Sequence, residues 1–288
     1  MSLNKPIPNR LDVRPSGSGI SACVDGIDLA RLDQPTADRL KIALGDYGVL
    51  FFRNQDLTID QHLAVAERFG SINVNRFLAH VSGEPRVAEV RKEPDQRTNI
   101  GAGWHTDHSY DQIPAMGSIL LARETPSQGG DTIFSNMYEA YATLSDGLKA
   151  TLRGLNALHS SRHVFGKSSQ HKAQNPELER RYGNEHLATQ DAVHPVVIRH
   201  PVSRRQALYV NASFTQRFEG WTEAESKPLL EFLYQHGARE EFTYRFQWAK
   251  GSIAFWDNRA TWHRAINDYH GHRRLMHRVT LEGSEIGR

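Results

Sequence analysis

The chain has 288 residues, and its 35 basic and 33 acidic side chains nearly balance at a net charge of +2. This gives no electrostatic reason to expect binding to nucleic acid or to a membrane surface. The single cysteine, Cys23, excludes an intramolecular disulfide framework. No apolar run approaches the roughly 18 residues that span a bilayer, and the polar first residues lack the apolar stretch of a secretory signal. We therefore expect a cytoplasmic protein.

The first quarter of the chain predicts a loose arm, two helices and a buried strand. Residues 1–18 are rich in Pro, Gly and Ser, which is typical of an arm with one short strand. A helix is predicted over 35–48, where Pro stands at the start and Gly at the end. The apolar run 49–52 predicts a buried strand. Thr58 and Gln61 have capping-box spacing, so a second helix is predicted up to Phe69.

The middle of the chain alternates between predicted strands and one helical stretch. Strands are predicted at 86–90, 116–123 and 131–136, and the leucines of 144–155 recur at helical spacing. Residues 159–193 are polar and have no sustained period, which is typical of a lid or a disordered loop.

The last third of the chain predicts more strands and one further helix. Its elements are paired strands at 194–199 and 207–211, a capped helix ending at Gly237, alternating strands at 242–248 and 252–256, and a final strand at 274–281. No internal repeat or second hydrophobic unit is present. We predict one domain over residues 1–288, mainly β with flanking helices and a lid at 159–193.

One stretch, Trp104-His105-Thr106-Asp107, has the pattern of a metal site. On an extended backbone, residues i and i+2 point to the same side about 7 Å apart, so His105 and Asp107 can reach one cation. The best candidate for a third ligand is His263. Two histidines and one carboxylate leave three adjacent positions open on the metal, which suits a non-haem Fe(II) oxygenase. In a chain with 15 histidines, about one His-x-Asp is expected by chance, so the pattern needs support.

Three further segments supply that support. They are 126–132 (Pro-Ser-Gln-Gly-Gly-Asp-Thr), 256–258 (Trp-Asp-Asn) with His263, and 267–269 (Asn-Asp-Tyr) followed by 273–278. Together with the His-x-Asp stretch, and in the same order and spacing, they resemble the TauD/TfdA family of Fe(II)- and 2-oxoglutarate-dependent dioxygenases. The likeness runs from Gly48 to about Leu281.

The resemblance implies a double-stranded β-helix, or jelly-roll, core. It implies Fe(II) bound by His105, Asp107 and His263, with 2-oxoglutarate as co-substrate. Arg274 would hold the C5 carboxylate of 2-oxoglutarate, helped by the hydroxyl of Thr132. The implied reaction uses O2, hydroxylates a small anionic organic substrate and releases succinate and CO2. Asp107 favours hydroxylation, because related iron halogenases have a small residue in its place.

The resemblance also addresses the substrate. Arg278 matches the residue that pairs with the acidic group of the substrate, and Asn75 replaces a histidine that contacts the sulfonate in the taurine-oxidising branch. Residues 207–211, 225–230 and 263–265 look more like the aryloxyalkanoate (phenoxypropionate) dioxygenases. We expect an aryloxyalkanoate, a sulfonate or a similar anion, in a pocket formed by Arg278, Asn75, Phe77, His80 and Gly103.

Other functions stay open from the sequence alone. They are a non-catalytic metal-binding jelly-roll sensor, a zinc hydrolase that uses the same ligands, and a taurine or alkyl sulfate dioxygenase within the same family. Asp257 and Asn258 are expected to form a turn or to fix the His263 loop. His108, His270 and His272 are expected to be solvated loop histidines. We also expect a homo-oligomer.

Overall fold

The computed structural model describes residues 11–17, 19–167, 169, 177 and 181–288. Of the predicted N-terminal arm, the short strand is present, and residues 1–10 and 18 lie outside the described residues. Within the described residues the chain folds mainly as β-sheet, with helices on the outside. No described helix has both the length and the apolar character needed to cross a bilayer.

Among the described residues, nine strands form the largest sheet. Labelled in chain order, these strands are β1 (Asp12–Pro15), β2 (Ser21–Asp25), β3 (Val49–Phe52), β4 (Ile72–Asn73), β5 (His80–Val81), β6 (Glu84–Lys92), β7 (Gly117–Glu124), β15 (Ile253–Asp257) and β17 (Arg274–Leu281). Their order is β1-β2-β3-β15-β7-β17-β6-β5, with β4 paired to β17. Neighbours are antiparallel except β2 and β3, which are parallel.

Smaller sheets complete the β-structure of the described residues. A sheet in the order β14-β8-β16 contains β8 (Thr132–Asn136), β14 (Thr243–Phe246) and β16 (Thr261–Ala265). The order β10-β9-β13 joins β9 (Asn156–Ser160), β10 (Asp191–Pro195) and β13 (Thr215–Phe218). A two-stranded ribbon pairs β11 (Val197–Arg199) with β12 (Gln206–Leu208).

The helices have clear end signals in the sequence. They are α1 (Gln34–Tyr47), α2 (Ile59–Glu67), α3 (Met137–Ala142), α4 (Asp146–Arg153), α5 (Arg162–Phe165) and α6 (Glu223–Gly237). Both predicted capping boxes are present, at Thr58 with Gln61 and at Thr222 with Glu225. The helix predicted to end near Gly48 ends there, with Gly48 at a φ of 71°.

Alternation along the central strands builds two apolar layers. In β15, Ala254 and Trp256 face one side, where they join Phe134 of β8 and Phe246 of β14 in a cluster between the large sheet and the β14-β8-β16 sheet. Ile253 and Phe255 face the other side and pack with residues of α1 and α2. The two sheets therefore pack face to face, and the first two helices cover the outer side of the large one.

One prediction of local structure needs correction. The segment 159–193 is not structureless at its ends, because β9 and β10 pair from Asp191 opposite Ser160 to Pro195 opposite Asn156. The alternating buried residues of β9 and β10 include His159 and His194, and the imidazole of His159 made the start of the segment look polar. The strands predicted at 242–248 and 252–256 are present as β14 and β15, which belong to different sheets.

Candidate active site

His105 and His263 are neighbours across a single backbone bridge. The amide of His263 donates to the carbonyl of His105 at 2.8 Å, and the amide of His105 donates to the carbonyl of His263 at 3.2 Å. The two imidazole rings lie side by side, with centroids 4.2 Å apart. The main chain therefore fixes the separation of these two histidines, whichever rotamers their side chains adopt.

Asp107 completes a compact group of donors. Its Oδ1 lies 3.7 Å from Nε2 of His105, and its Oδ2 lies 3.7 Å from Nε2 of His263. One ligand atom from each of the three residues falls within 4.8 Å of the others. The three predicted ligands thus meet at one point, as a shared metal ion requires.

The protonation states of this group suit a divalent cation. Nδ1–H of His105 donates to the carbonyl of Gly103 at 2.8 Å, which leaves Nε2 as an acceptor. Burial, reinforced by His105, lowers the pKa of His263 well below its ordinary value, so its imidazole is neutral. Burial raises the pKa of Asp107, but the guanidinium of Arg278 outweighs it and holds the pKa below the usual range. One carboxylate and two neutral imidazoles form the donor set of the non-haem iron oxygenases.

The turn before His263 is fixed by buried polar contacts. The carboxylate of Asp257 accepts from Nε and Nη2 of Arg259 at 2.8 and 2.6 Å and is 3.0 Å from Nε2 of His200. The side-chain Nδ2 of Asn258 donates to the carbonyl of Ala115 at 3.1 Å. Asp257 and Asn258 therefore have the expected turn role, which holds the strand that carries His263.

Arg278 lies against the carboxylate of Asp107. Its Nη1 is 3.4 Å from Oδ1 and 3.3 Å from Oδ2, and its Nε donates to the hydroxyl of Thr280 at 3.2 Å. Oδ2 of Asp107 has no hydrogen-bond partner of good geometry among the described residues. Arg278 thus borders the donor group and also lines the cavity described below.

Arg274 is a buried cation with unused donors. It is 4% exposed, and its Nε and Nη2 have no hydrogen-bond partner among the described residues. Its guanidinium lies 5.6 Å from the ring centre of Trp248, whose indole N–H donates to the hydroxyl of Thr132 at 3.0 Å. Across the sheet, Lys92 stands directly opposite Arg274. Because a buried guanidinium needs acceptors, this corner has the chemistry of an anion site.

The glycine-containing segment 126–132 meets the segment 267–269 at this corner. The amide of Gly130 donates to Oδ1 of Asp268 at 2.7 Å. Gly130 has a φ of +70°, and a Cβ on it would lie 3.2 Å from both Cδ of Arg274 and the ring of Tyr269. Glycine is needed here because the loop packs closely against Arg274.

A cavity of about 410 Å³ opens beside the donor group. Asn75, Phe77 and Gly103 line it as predicted. His80 does not; its Nε2 donates to the carbonyl of Asn75 at 2.7 Å, so it supports the cavity wall from behind. The predicted contact between His80 and substrate therefore does not fit the structure.

Most of the aromatic wall of this cavity is not evident from the sequence. The further aromatic side chains that line it are Trp104, Tyr110, Phe165, Tyr182 and Phe214. Phe165 and Tyr182 come from the segment predicted to be a lid or a disordered loop, where aromatic residues among polar ones were the available signal. Phe77 and Phe165 stack with centroids 4.2 Å apart.

Two of the three remaining histidine assignments hold. His270 and His272 are exposed, as expected. His108 is 2% exposed, so its assignment as a solvated histidine is wrong. Its Nδ1 binds Oδ2 of Asp111, three residues along the chain, at 2.9 Å; the sequence shows this spacing but not the burial of the imidazole.

The sequence profile of the taurine catabolism dioxygenase TauD, TfdA family matches residues 12–280. The chain belongs to the TauD/TfdA family. As the sequence motifs predicted, it is a 2-oxoglutarate-dependent dioxygenase whose cofactor and co-substrate are Fe(II) and 2-oxoglutarate.

Individual TauD/TfdA relatives cover nearly the whole chain. An alpha-ketoglutarate-dependent sulfate ester dioxygenase of Pseudomonas putida is 34% identical over 275 residues, 95% of this chain and 90% of that protein. An (S)-phenoxypropionate/alpha-ketoglutarate-dioxygenase of Sphingobium herbicidovorans is 31% identical over 278 residues, 94% of this chain and 95% of that protein. A crystal structure of a taurine dioxygenase from Burkholderia xenovorans superposes with a TM-score of 0.78 at 35% identity, covering 95% of this chain and 91% of that one. These identities do not favour the aryloxyalkanoate branch over the sulfate ester branch.

Proposed function

We propose that this enzyme hydroxylates a small anionic organic substrate at an iron ion bound by His105, Asp107 and His263, and releases succinate and CO2. The observation that carries the proposal is the meeting of these three donors within 4.8 Å beside a cavity that contains an arginine. When bound, the iron supplies the O2 chemistry that couples decarboxylation of 2-oxoglutarate to oxidation of the substrate. The protein supplies the positions of the reactants.

Arg274 and Thr132 are the groups proposed to hold the C5 carboxylate of 2-oxoglutarate. The unpartnered Nε and Nη2 of Arg274 form the fork that binds a carboxylate through two parallel hydrogen bonds. The hydroxyl of Thr132 accepts from Trp248, so its own hydrogen is free to donate to the same carboxylate. The burial of this corner excludes water and strengthens both contacts.

The primary substrate is proposed to lie in the aromatic cavity with its anionic group toward Arg278. A shift of the Arg278 guanidinium away from Asp107 frees N–H donors for a carboxylate or sulfate oxygen of the substrate. The aromatic wall then packs against the aryl or alkyl body of the substrate. A volume of about 410 Å³ accommodates a ligand larger than taurine. The named substrates of the sulfate ester and phenoxypropionate relatives have this combination of anion and apolar body.

The architecture is proposed to be one domain with a jelly-roll core, which the two packed sheets and the family membership support. The segment between β9 and β10 is proposed to be a lid, since it contributes Phe165 and Tyr182 to the cavity wall. The homo-oligomeric state stays a prediction.

A non-catalytic sensor is the alternative from another class. A sensor has no need of a second anion site, and the buried Arg274 with its unused donors speaks against it. A zinc hydrolase with the same ligands is disfavoured for the same reason.

The test begins without oxygen. Adding Fe(II) and then 2-oxoglutarate should produce the weak visible charge-transfer band of the chelate, and the His105→Ala variant should lack it. The exposed His272 provides a matched control, because His272→Ala should retain the band. Folded, metal-loaded protein without the band would overturn the proposed reaction.

The second step identifies the substrate. In air, succinate release should depend on one member of a panel of aryloxyalkanoates, alkyl sulfates and sulfonates. A dependence on aryloxyalkanoates or alkyl sulfates with apolar bodies is expected. Succinate release that responds to no anion of the panel, with the band intact, would contradict the substrate class but not the iron site.

A further inference from the structure

Four polar side chains form a connected row of contacts beneath the aromatic wall of the cavity. Arg76 pairs with Oδ1 of Asp111, Oδ2 of Asp111 binds Nδ1 of His108 at 2.9 Å, and Nε2 of His108 lies 3.5 Å from Nδ2 of Asn75. Asn75 lines the cavity, whereas His108 does not. These contacts therefore join a half-buried ion pair to a side chain that can touch substrate.

The carboxamide of Asn75 has a defined orientation. Its Oδ1 accepts from the amides of Phe77 and Leu78, both at 2.9 Å. Because the carboxamide is planar, this leaves the NH2 group on the opposite side, next to His108. One N–H faces Nε2 of His108, and because Asn75 lines the cavity, the second N–H can donate there.

The tautomer of His108 matches this orientation. Burial raises the pKa of Asp111, but the hydrogen bonds from His108 and Arg76 outweigh it and hold the pKa below its ordinary value. An ionised carboxylate only accepts hydrogen bonds, so Nδ1 of His108 carries the hydrogen. The NH2 group of Asn75 faces Nε2 at 3.5 Å and can only donate, so the tautomer with its hydrogen on Nδ1 and an acceptor at Nε2 satisfies both contacts.

We propose that His108, held by Asp111, is a positioning residue that turns the carboxamide of Asn75 so that one N–H donates to an oxygen of the anionic substrate. This inference rests on the proposed function, because it requires an anion in the cavity. Arg278 supplies the charge, and Asn75 supplies a second, directional donor on the same cavity. His108 itself does not touch the substrate.

The proposal predicts different results for two substitutions of the same residue. His108→Asn keeps a donor for Asp111 near the place of Nδ1 but removes the acceptor at Nε2. His108→Gln can place its Oε1 near Nε2 and accept from Asn75, but loses the hydrogen bond to Asp111. The main chain of His108 has a φ of 59°, a conformation that Asn adopts readily. His108→Asn, the variant expected to weaken substrate binding, is therefore the one that fits the backbone better.

The experiment measures binding of two probe anions, phenoxypropionate and hexyl sulfate. Isothermal titration calorimetry uses the full-length protein loaded with Mn(II) and N-oxalylglycine, an unreactive analogue of 2-oxoglutarate. We expect His108→Asn and Asn75→Asp to raise the Kd of the probes about tenfold, as the loss of one hydrogen bond to a charged group predicts. His108→Gln should stay within about threefold of wild type, and His272→Asn, at an exposed loop histidine, should bind as wild type does.

The outcomes distinguish positioning from simple structural support. If His108→Asn and His108→Gln weaken binding equally, or if neither weakens it, the positioning role is overturned. Absence of probe binding to wild-type protein would overturn the inference, because no anion would then lie beside Asn75. The anaerobic charge-transfer band of each variant tests the iron site separately, so loss of the band in wild type would refute the proposed function rather than the role of His108.

Discussion

The hydroxyl of Thr106 donates to the main-chain carbonyl of Asn258 at 2.6 Å and lies 3.0 Å from the carbonyl of Thr261. Thr106 stands between two of the three proposed metal ligands, and the two carbonyls belong to the turn and strand that lead to the third. This one side chain therefore ties together the two parts of the chain that form the iron site.

Replacing Thr106 with Val should weaken metal binding while keeping the shape of the side chain. The two carbonyls lose their donor, and the His105 and His263 segments lose a buried tie. We expect metal affinity to fall about tenfold, the lower end of what supporting contacts around a metal contribute. Calorimetric titration with Mn(II) measures it. Thr151→Val, on the surface of α4, is the control, and equal affinities in both variants would refute the role of Thr106.

Loss of the guanidinium of Arg274 should abolish tight binding of 2-oxoglutarate. Arg274→Met removes two charge-assisted hydrogen bonds, each of about 1.5–3 kcal/mol, so affinity should fall on the order of 100-fold or more. Titration of the anaerobic band with 2-oxoglutarate gives the affinity. The neighbouring Arg273, which pairs with Glu93 and Glu124, is the matched control, and an equal loss in Arg273→Met would contradict the assignment.

Lys92 should contribute to the same site indirectly. Its Nζ donates to Asn267 at 2.9 Å and lies 4.3 Å from the ring centre of Tyr269, so it holds the loop beside Arg274. Lys92→Met should weaken 2-oxoglutarate binding several-fold, less than Arg274→Met does. A larger effect than that of Arg274→Met in the same titration would reverse their proposed roles.

Stability should decrease with acid because of a buried histidine away from the site. Burial, together with Arg123 and His277, lowers the pKa of His62 to about 3, against about 6.5 in an unfolded chain. Below pH 6.5 the unfolded chain binds a proton that the folded protein does not, so the free energy of unfolding falls as pH falls, by at most about 1.4 kcal/mol per pH unit.

Urea unfolding at pH 7, 6 and 5 measures this dependence. His62→Leu should reduce the slope of the unfolding free energy against pH, whereas His272→Leu should leave it unchanged. The same slope in wild type and His62→Leu would mean that other groups account for the acid sensitivity.

Gly117 should resist substitution by any larger residue. A Cβ at this position would lie 2.1 Å from the carbonyl oxygen of Trp256, so β7 and β15 would have to separate. Gly117→Ala should destabilise the protein by about 1–3 kcal/mol. Gly147→Ala, in helix α4 with open space around it, should be neutral or stabilising by up to about 1 kcal/mol. Thermal unfolding compares the two, and similar melting temperatures would contradict the close approach.

The elements predicted correctly are those specified by contacts within a few residues. The capping boxes at Thr58 and Thr222 join residues three apart. The final strand, Arg274–Leu281, follows from alternation alone. The end of α1 at Gly48 follows from a backbone conformation that glycine favours.

Buried histidines explain two of the errors. His159, His194 and His108 count as polar in a sequence pattern, yet each is buried in the fold. Local sequence does not reveal that the imidazole of His108 is buried, although its partner Asp111 is only three residues away. It also does not reveal that His194 reaches the carbonyl of Asp111. The alternation of β9 and β10 was therefore hidden.

The sequence by itself determined the chemistry of this enzyme, because the His-x-Asp spacing and the accompanying motifs specify which donors are available and in what order. Only the tertiary structure decided which side chains share the site. The bridge between His105 and His263, the contact of Arg278 with Asp107, and the aromatic wall are all contacts between residues far apart in the chain. Such contacts arise from strand pairing and sheet packing, so they depend on the whole fold rather than on neighbouring residues.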